Sequence, residues 1–352
     1  NWAPLWPIVF LSVMVAVIQL ADVFRKKESE SPAYCLSIFT TLALTVWFAV
    51  QASSGETHYV FSNLAVFDPM AQVLSSFCSL ALLVTFVYTR RYLADREMYN
   101  GEFYILALFT LLGQVVMISG NNFLTLYLGL ELLSLASYAL VALRRRSNVS
   151  SESGMKYFIL GALASGLLLY GMSMLYGATG SLDLGEVFRA INTGNINKTI
   201  LVFGVVFVVA GLAFKLGAAP FHMWVPDVYQ GSPTAVTLLI AGAPKVAAFA
   251  MTLRILVEGL LPLAFDWQNM LIVLAVASLA IGNITGVVQT NFKRLLAYST
   301  VSHMGFLLLG MLSGVSAGKP DLTAQAYSAS MFYAITYVLT ALGAFGVILL
   351  LA

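Results

Sequence analysis

Gly211-Leu-Ala-Phe-Lys215-Leu-Gly-Ala-Ala-Pro220-Phe-His222-Met-Trp224-Val-Pro226-Asp227-Val-Tyr229-Gln-Gly231-Ser-Pro233 lies almost wholly inside an apolar run over 199–230. As one helix the run would extend about 48 Å, against a bilayer core of about 30 Å. Gly217-Ala-Ala-Pro220 interrupts it, and Pro220 has no amide to donate to a helical ladder. The stretch therefore reads as a discontinuous membrane helix, with Lys215 two residues before the break and His222 just beyond it.

The rest of the chain supports a membrane setting. Its 352 residues include only 18 Lys+Arg and 16 Asp+Glu, 10% charged, where soluble domains carry about 25%. The chain is 60% hydrophobic with a mean hydropathy of +0.88, more apolar surface than a water-facing globule can hide. A net charge of +2 is too small to argue for nucleic acid. Cys35 and Cys78 fall within apolar runs and form neither a disulfide framework nor a metal spacing. No Gly-rich phosphate loop, metal cluster, CxxC or Ser-His-Asp order is visible, so nucleotide, Fe–S or haem binding in this chain is unsupported. A repeated channel filter is not found either.

Windows of roughly 20 apolar residues divide the chain into about eleven spans. They are 4–24, 32–53, 67–88, 103–119, 121–143, 154–176, 199–230, 233–257, 268–288, 295–313 and 322–351. The first lacks a basic n-region and reads as a retained helix. With the N-terminus outside, eleven basic residues fall in cytoplasmic loops: Arg25, Lys26, Lys27, Arg90, Arg91, Arg96, Arg144, Arg145, Arg146, Lys293 and Arg294. Four (Arg189, Lys198, Arg254 and Lys319) fall outside, so the positive-inside rule orients the chain N-out. Around 54–66, Thr57, Tyr59, Val60 and Phe61 suit a hairpin, and 177–198 reads as a loop.

Three charges remain at depth. Glu131 is central in 121–143, and Lys245 is central in 233–257, directly after Pro244, which is expected to kink its helix. Lys215 precedes the break. Each costs at least about 2.5 kcal/mol in hydrocarbon, so such groups persist when paired, hydrated or neutral. A structural Glu131–lysine salt bridge is the simplest account, but buried pairs are weak stabilisers. A proton path is the sharper one, because desolvation favours neutral forms and lets buried Lys and Glu exchange protons. Lys156 is read either as reaching the interface or as a relay, and His303 as a packing residue or a proton carrier. Asp227 reads as pinning a helix end, and Arg254 and Lys293-Arg294 as interfacial anchors.

The quoted stretch, continued by Thr-Ala-Val236-Thr, resembles the signature of the antiporter-like proton-translocating subunits of NADH:quinone oxidoreductase, respiratory complex I. Leu128-Gly-Leu-Glu131-Leu-Leu-Ser134, Lys156-Tyr157, Pro244-Lys245 and Gln289-Thr-Asn291-Phe-Lys293-Arg-Leu-Leu-Ala-Tyr298-Ser-Thr-Val-Ser302-His303-Met-Gly305 extend the resemblance across most of the chain. Pro226-Asp-Val-Tyr-Gln-Gly231 favours the N-type branch of bacterial enzymes.

The resemblance implies an all-α polytopic bundle with inverted five-helix repeats: N-terminal helices over 1–102, a first repeat over 103–257 and an incomplete second over 268–352. Glu131, Lys215 and Lys245 fall on the family's proton-translocating positions, with Lys156, His222 and His303 as further relay candidates. It also implies that NADH, FMN, Fe–S clusters and quinone belong to other subunits and that none is bound here. Expected partners are other membrane-arm subunits, including an antiporter-like paralogue, in a bacterial inner membrane. The family's remaining C-terminal helices are not in this sequence, which is expected to be truncated. The alternatives are a cation/proton antiporter or membrane-hydrogenase subunit of the same fold, and a structural spacer.

Overall fold

A computed structural model of the chain describes residues 3–24, 32–96, 98, 101–194, 196–314 and 320–351. Arg25, Lys26, Lys27 and Lys319, used in the orientation count, lie outside the described residues. Eleven helices among the described residues are long and apolar enough to cross a membrane, matching the eleven expected spans.

In chain order the helices are α1 (Trp6–Val23), α2 (Ala33–Ser54), α3 (Pro69–Asp95), α4 (Gly101–Ser119), α5 (Phe123–Val141), α6 (Asn148–Thr179) and α7 (Leu184–Asn192). Then come α8 (Lys198–Leu216), α9 (Trp224–Gly231), α10 (Thr234–Ala241), α11 (Ala243–Leu253), α12 (Ala264–Val287), α13 (Phe292–Ser313) and α14 (Pro320–Leu351). Short polar residues begin several of them. Asp68, Asn122, Ser147, Asp183, Asn197 and Asn291 each accept from a first-turn amide, satisfying donors that lipid cannot.

Four places show how the structure meets the sequence boundaries. The expected hairpin forms from β1 (His58–Val60) and β2 (Ala65–Phe67), paired antiparallel, with Phe61, Ser62 and Asn63 in the left-handed turn; Thr57 and Phe61 are outside the strands. The 177–198 loop contains α7, whose Leu184 and Val187 are buried. The sixth span begins at Asn148 instead of 154, because the polar first turn is held by the Ser147 cap. The run 199–230 divides into α8 and α9, as expected from its length.

Small residues allow the helix pairs to close. A Cβ on Gly113 would lie 2.5 Å from Leu133 N, and one on Gly129 would lie 2.6 Å from Met117 N, so α4 and α5 are in near-backbone contact. The span Thr234–Gly259 is the axis of the bundle, 94% buried where the others reach at most 67%. It is not one helix. Gly242 departs from helical geometry, so the break comes two residues before Pro244 and not as a kink at it.

Candidate functional site

The site forms where the two interrupted spans meet. α8 ends at Gly217, whose φ of +81° is left-handed and whose amide donates to Ala213 and Phe214 carbonyls. The chain then turns through Ala218–Met223 and resumes in α9. That path leaves the last carbonyls of α8 open, and Lys245 of α11 donates to Leu216 O at 2.7 Å and to Lys215 O at 3.4 Å. An ammonium at a helix C-terminus is favoured by the local dipole. Its Nζ also lies 4.8 Å from the Trp224 ring centroid, and Trp224 Nε1 is bound to Phe214 O at 2.9 Å.

Lys215 turns the other way. Its Nζ donates to Ser134 Oγ at 2.6 Å, and Ser134 in turn donates to Leu130 O at 2.6 Å. Between the lysines is a cavity of about 20 Å³ lined by Ser134, Ser137, Tyr157, Trp224 and both lysines, with Met117 and Pro244 among the apolar walls. It has the size and the polar partners for one water molecule. Tyr157 stacks on Trp224 at 4.6 Å, and Tyr138 meets Tyr157 edge-on at 4.7 Å, fixing that wall.

Glu131 is three residues before Ser134 on α5, one turn away on the same helix face. The salt bridge weighed as an alternative is not formed: among the described residues no ion pair joins Glu131 to Lys215 or Lys245. The carboxylate is within electrostatic reach of Lys215, Tyr127 faces it, and its Oε1 is buried without a hydrogen-bond partner.

The remaining candidates are elsewhere. Lys156 is half-exposed and pairs with Glu152 at 2.8 Å and Asp227 at 3.2 Å; Asp227 also takes Arg294 Nη1 at 2.6 Å. Asp227 thus pins α9 to α6 and α13, as the sequence suggested. Asp227→Asn is expected to lower the thermal stability of the assembled protein by about 1 kcal/mol, since the network is partly solvated; calorimetry of purified membranes checks it. His222 is in the break, half-buried, 6.2 Å from the Tyr298 ring. His303 on α13 shares a 2.7 Å hydrogen bond with Tyr333 of α14.

Arg254 is at a span end, as the sequence suggested, but it is 1% exposed and anchored inward, bound to Asp68 and Glu258. A buried guanidinium needs such carboxylates, and Asp68, distant in sequence, gave no local signal. Lys293 is anchored inward also, donating to Ser232 O at 2.6 Å. Among the described residues no cluster of His, Cys, Asp and Glu is placed to hold a metal ion.

Gly217 is the hinge on which this geometry depends. A Cβ there would stand 2.8 Å from Val225 Cγ2 and 3.2 Å from Lys245 Nζ, in a backbone conformation that costs a side chain about 1–2 kcal/mol. Gly217→Ala is expected to displace the lysine and lower thermal stability, which a thermal-unfolding scan checks.

The family described as NADH:quinone oxidoreductase/Mrp antiporter, TM matches residues 120–352. A protein of Cupriavidus taiwanensis described as NADH-quinone oxidoreductase subunit N is 71% identical over 348 residues, 99% of this chain and 71% of that protein. One of the same description from Polaromonas naphthalenivorans is 60% identical over 353 residues, 100% of this chain and 71% of that one. In the structure of respiratory complex I from Thermus thermophilus with bound aureothin, a chain 32% identical aligns with a TM-score of 0.80 over 97% of this chain and 70% of its own length. A chain of the Mrp complex from Dietzia, 20% identical, aligns at 0.82 over 98% of this chain and 64% of its own length, a likeness of fold alone.

Proposed function

The chain belongs to the NADH:quinone oxidoreductase/Mrp antiporter family of membrane subunits, and from that premise we propose that it is the proton-translocating N-type subunit of a bacterial NADH:quinone oxidoreductase. The observation that carries this reading is the pair Lys215 and Lys245, on two interrupted spans, facing one water-sized cavity inside a multi-pass bundle. Among the described residues neither lysine is neutralised by a carboxylate at ion-pair distance.

The chemistry is proton transfer without redox steps in this chain. Lys215 holds its proton against the Ser134 hydroxyl, which accepts from it and donates onward to a carbonyl. Lys245 holds its proton against the open end of α8. Two ammonium groups beside one small cavity repel each other, so a proton arriving on one favours release from the other. Glu131 modulates Lys215 by charge. Lys156, His222 and His303 are secondary relay candidates. NADH oxidation and quinone reduction take place in partner subunits, which drive this one conformationally and electrostatically; an antiporter-like paralogue is among the expected neighbours. The basic loops favour an inner-membrane orientation with the N-terminus outside.

Inverted membrane vesicles containing the assembled enzyme test the reading. Addition of NADH is expected to drive proton uptake that collapses with a protonophore and is indifferent to sodium. Sodium uptake following turnover would favour the cation/proton antiporter alternative.

A further inference from the structure

Ala243–Leu253 is a helical segment bounded by irregular geometry at each end. Before it, Gly242 adopts φ −93° and ψ −115°; after it, Arg254–Gly259 widens into a π-turn in which Leu260 N donates to Ile255 O at 3.0 Å. Such turns recur at functional sites. Lys245 is near the Gly242 end, so the segment's depth and rotation determine where its Nζ points.

Arg254 is at the other end, about 13 Å away at 1.5 Å per residue. Its buried guanidinium is held from three sides. Nη1 and Nη2 donate to the two oxygens of Asp68 at 2.9 and 2.8 Å, Nη1 also donates to Glu258 at 2.7 Å, and Nε donates to Ile118 O at 3.3 Å. Asp68 is itself fixed, because it caps α3 by accepting from Ala71 N at 2.8 Å. A planar fork on a carboxylate constrains direction as well as distance, which a lysine in the same place would not do. Mere cohesion does not call for this arrangement, since apolar side chains hold helices together at least as well as buried ion pairs.

We infer that Arg254 is a positioning residue for Lys245. By tying the end of Ala243–Leu253 to the start of α3 and the end of α4, it fixes the lysine against the Leu216 carbonyl and the cavity wall. The inference rests on the reading of Lys245 as a proton carrier and adds what keeps that carrier in place.

The test uses the assembled oxidoreductase carrying Arg254→Gln, Arg254→Lys, Asp68→Asn, Glu258→Gln or Lys245→Ala. Assembled content, NADH:quinone turnover and protons moved per NADH are measured for each. Arg254→Gln and Asp68→Asn are expected to reduce protons per NADH, counted per assembled complex, to the value of Lys245→Ala. Glu258→Gln, which leaves the Asp68 fork intact, and Arg254→Lys, which keeps the charge without the fork, fall between that value and wild type. A wild-type ratio in assembled Arg254→Gln or Asp68→Asn, with a reduced ratio in Lys245→Ala, overturns the inference and leaves the lysine's role standing. An unchanged ratio in Lys245→Ala overturns that role instead. Should the first two variants not assemble, Arg254→Lys decides, and a wild-type ratio there sinks the proposal.

Discussion

Lys215→Ala is expected to reduce NADH-driven proton uptake by at least about tenfold, the effect of roughly 1.4 kcal/mol on a transfer barrier, while the protein still assembles in the membrane. Among the described residues Lys215 Nζ makes one hydrogen bond, to Ser134, and no ion pair, so little cohesion is lost on truncation. Ser134 Oγ keeps its bond to Leu130 O and is not orphaned. The alanine enlarges a cavity that is already lined by hydroxyls, and water can enter to solvate what remains. What disappears is the only titratable group on α8 at the cavity, and with it the partner whose charge state is coupled to Lys245. Uptake is read from a pH-sensitive dye in inverted vesicles, normalised to assembled subunit. Normal uptake in that variant would support a structural spacer in place of a pump.

The lysines were conspicuous in the sequence because the bilayer makes any charge at depth costly, and the broken span because an apolar run of that length cannot cross straight. What was hidden depends on contacts between residues far apart in the chain. Ser134 was visible within Leu128-Gly-Leu-Glu131-Leu-Leu-Ser134, yet its part as the Lys215 acceptor emerges only when α5 and α8 are brought together. Trp224 and Tyr157 likewise stand within the quoted motifs, but the cavity wall they form by stacking emerges only in the fold. The one available signal was spacing: Glu131, Ser134 and Tyr138 recur at intervals of three and four, the period of a single helix face. The inward pairing of Arg254 was hidden for the same reason. It stands near a span end, where snorkelling is the usual outcome, but Asp68 waits at the start of α3 and draws it inward.

Glu131 should respond in a graded way, which separates a modulating charge from a carrier. Glu131→Ala is expected to slow proton uptake by roughly two- to tenfold, about 0.4–1.4 kcal/mol on the barrier, less than the loss of Lys215. The carboxylate lies outside the cavity wall and makes no ion pair with either lysine, so it acts through the low-dielectric space between helices and not by handing over a proton at contact distance. Glu131→Asp keeps the charge and retracts it by one methylene, and most of the rate should survive. Glu131→Gln keeps shape without charge, and is therefore expected to match the alanine variant more closely than the aspartate one. If glutamine instead behaved like wild type, the group would be serving as a packing or hydrogen-bonding element beside Tyr127, and the electrostatic assignment would fail. A loss in Glu131→Asp as deep as in Lys215→Ala would point to the opposite error, a carboxylate that must touch the proton it moves.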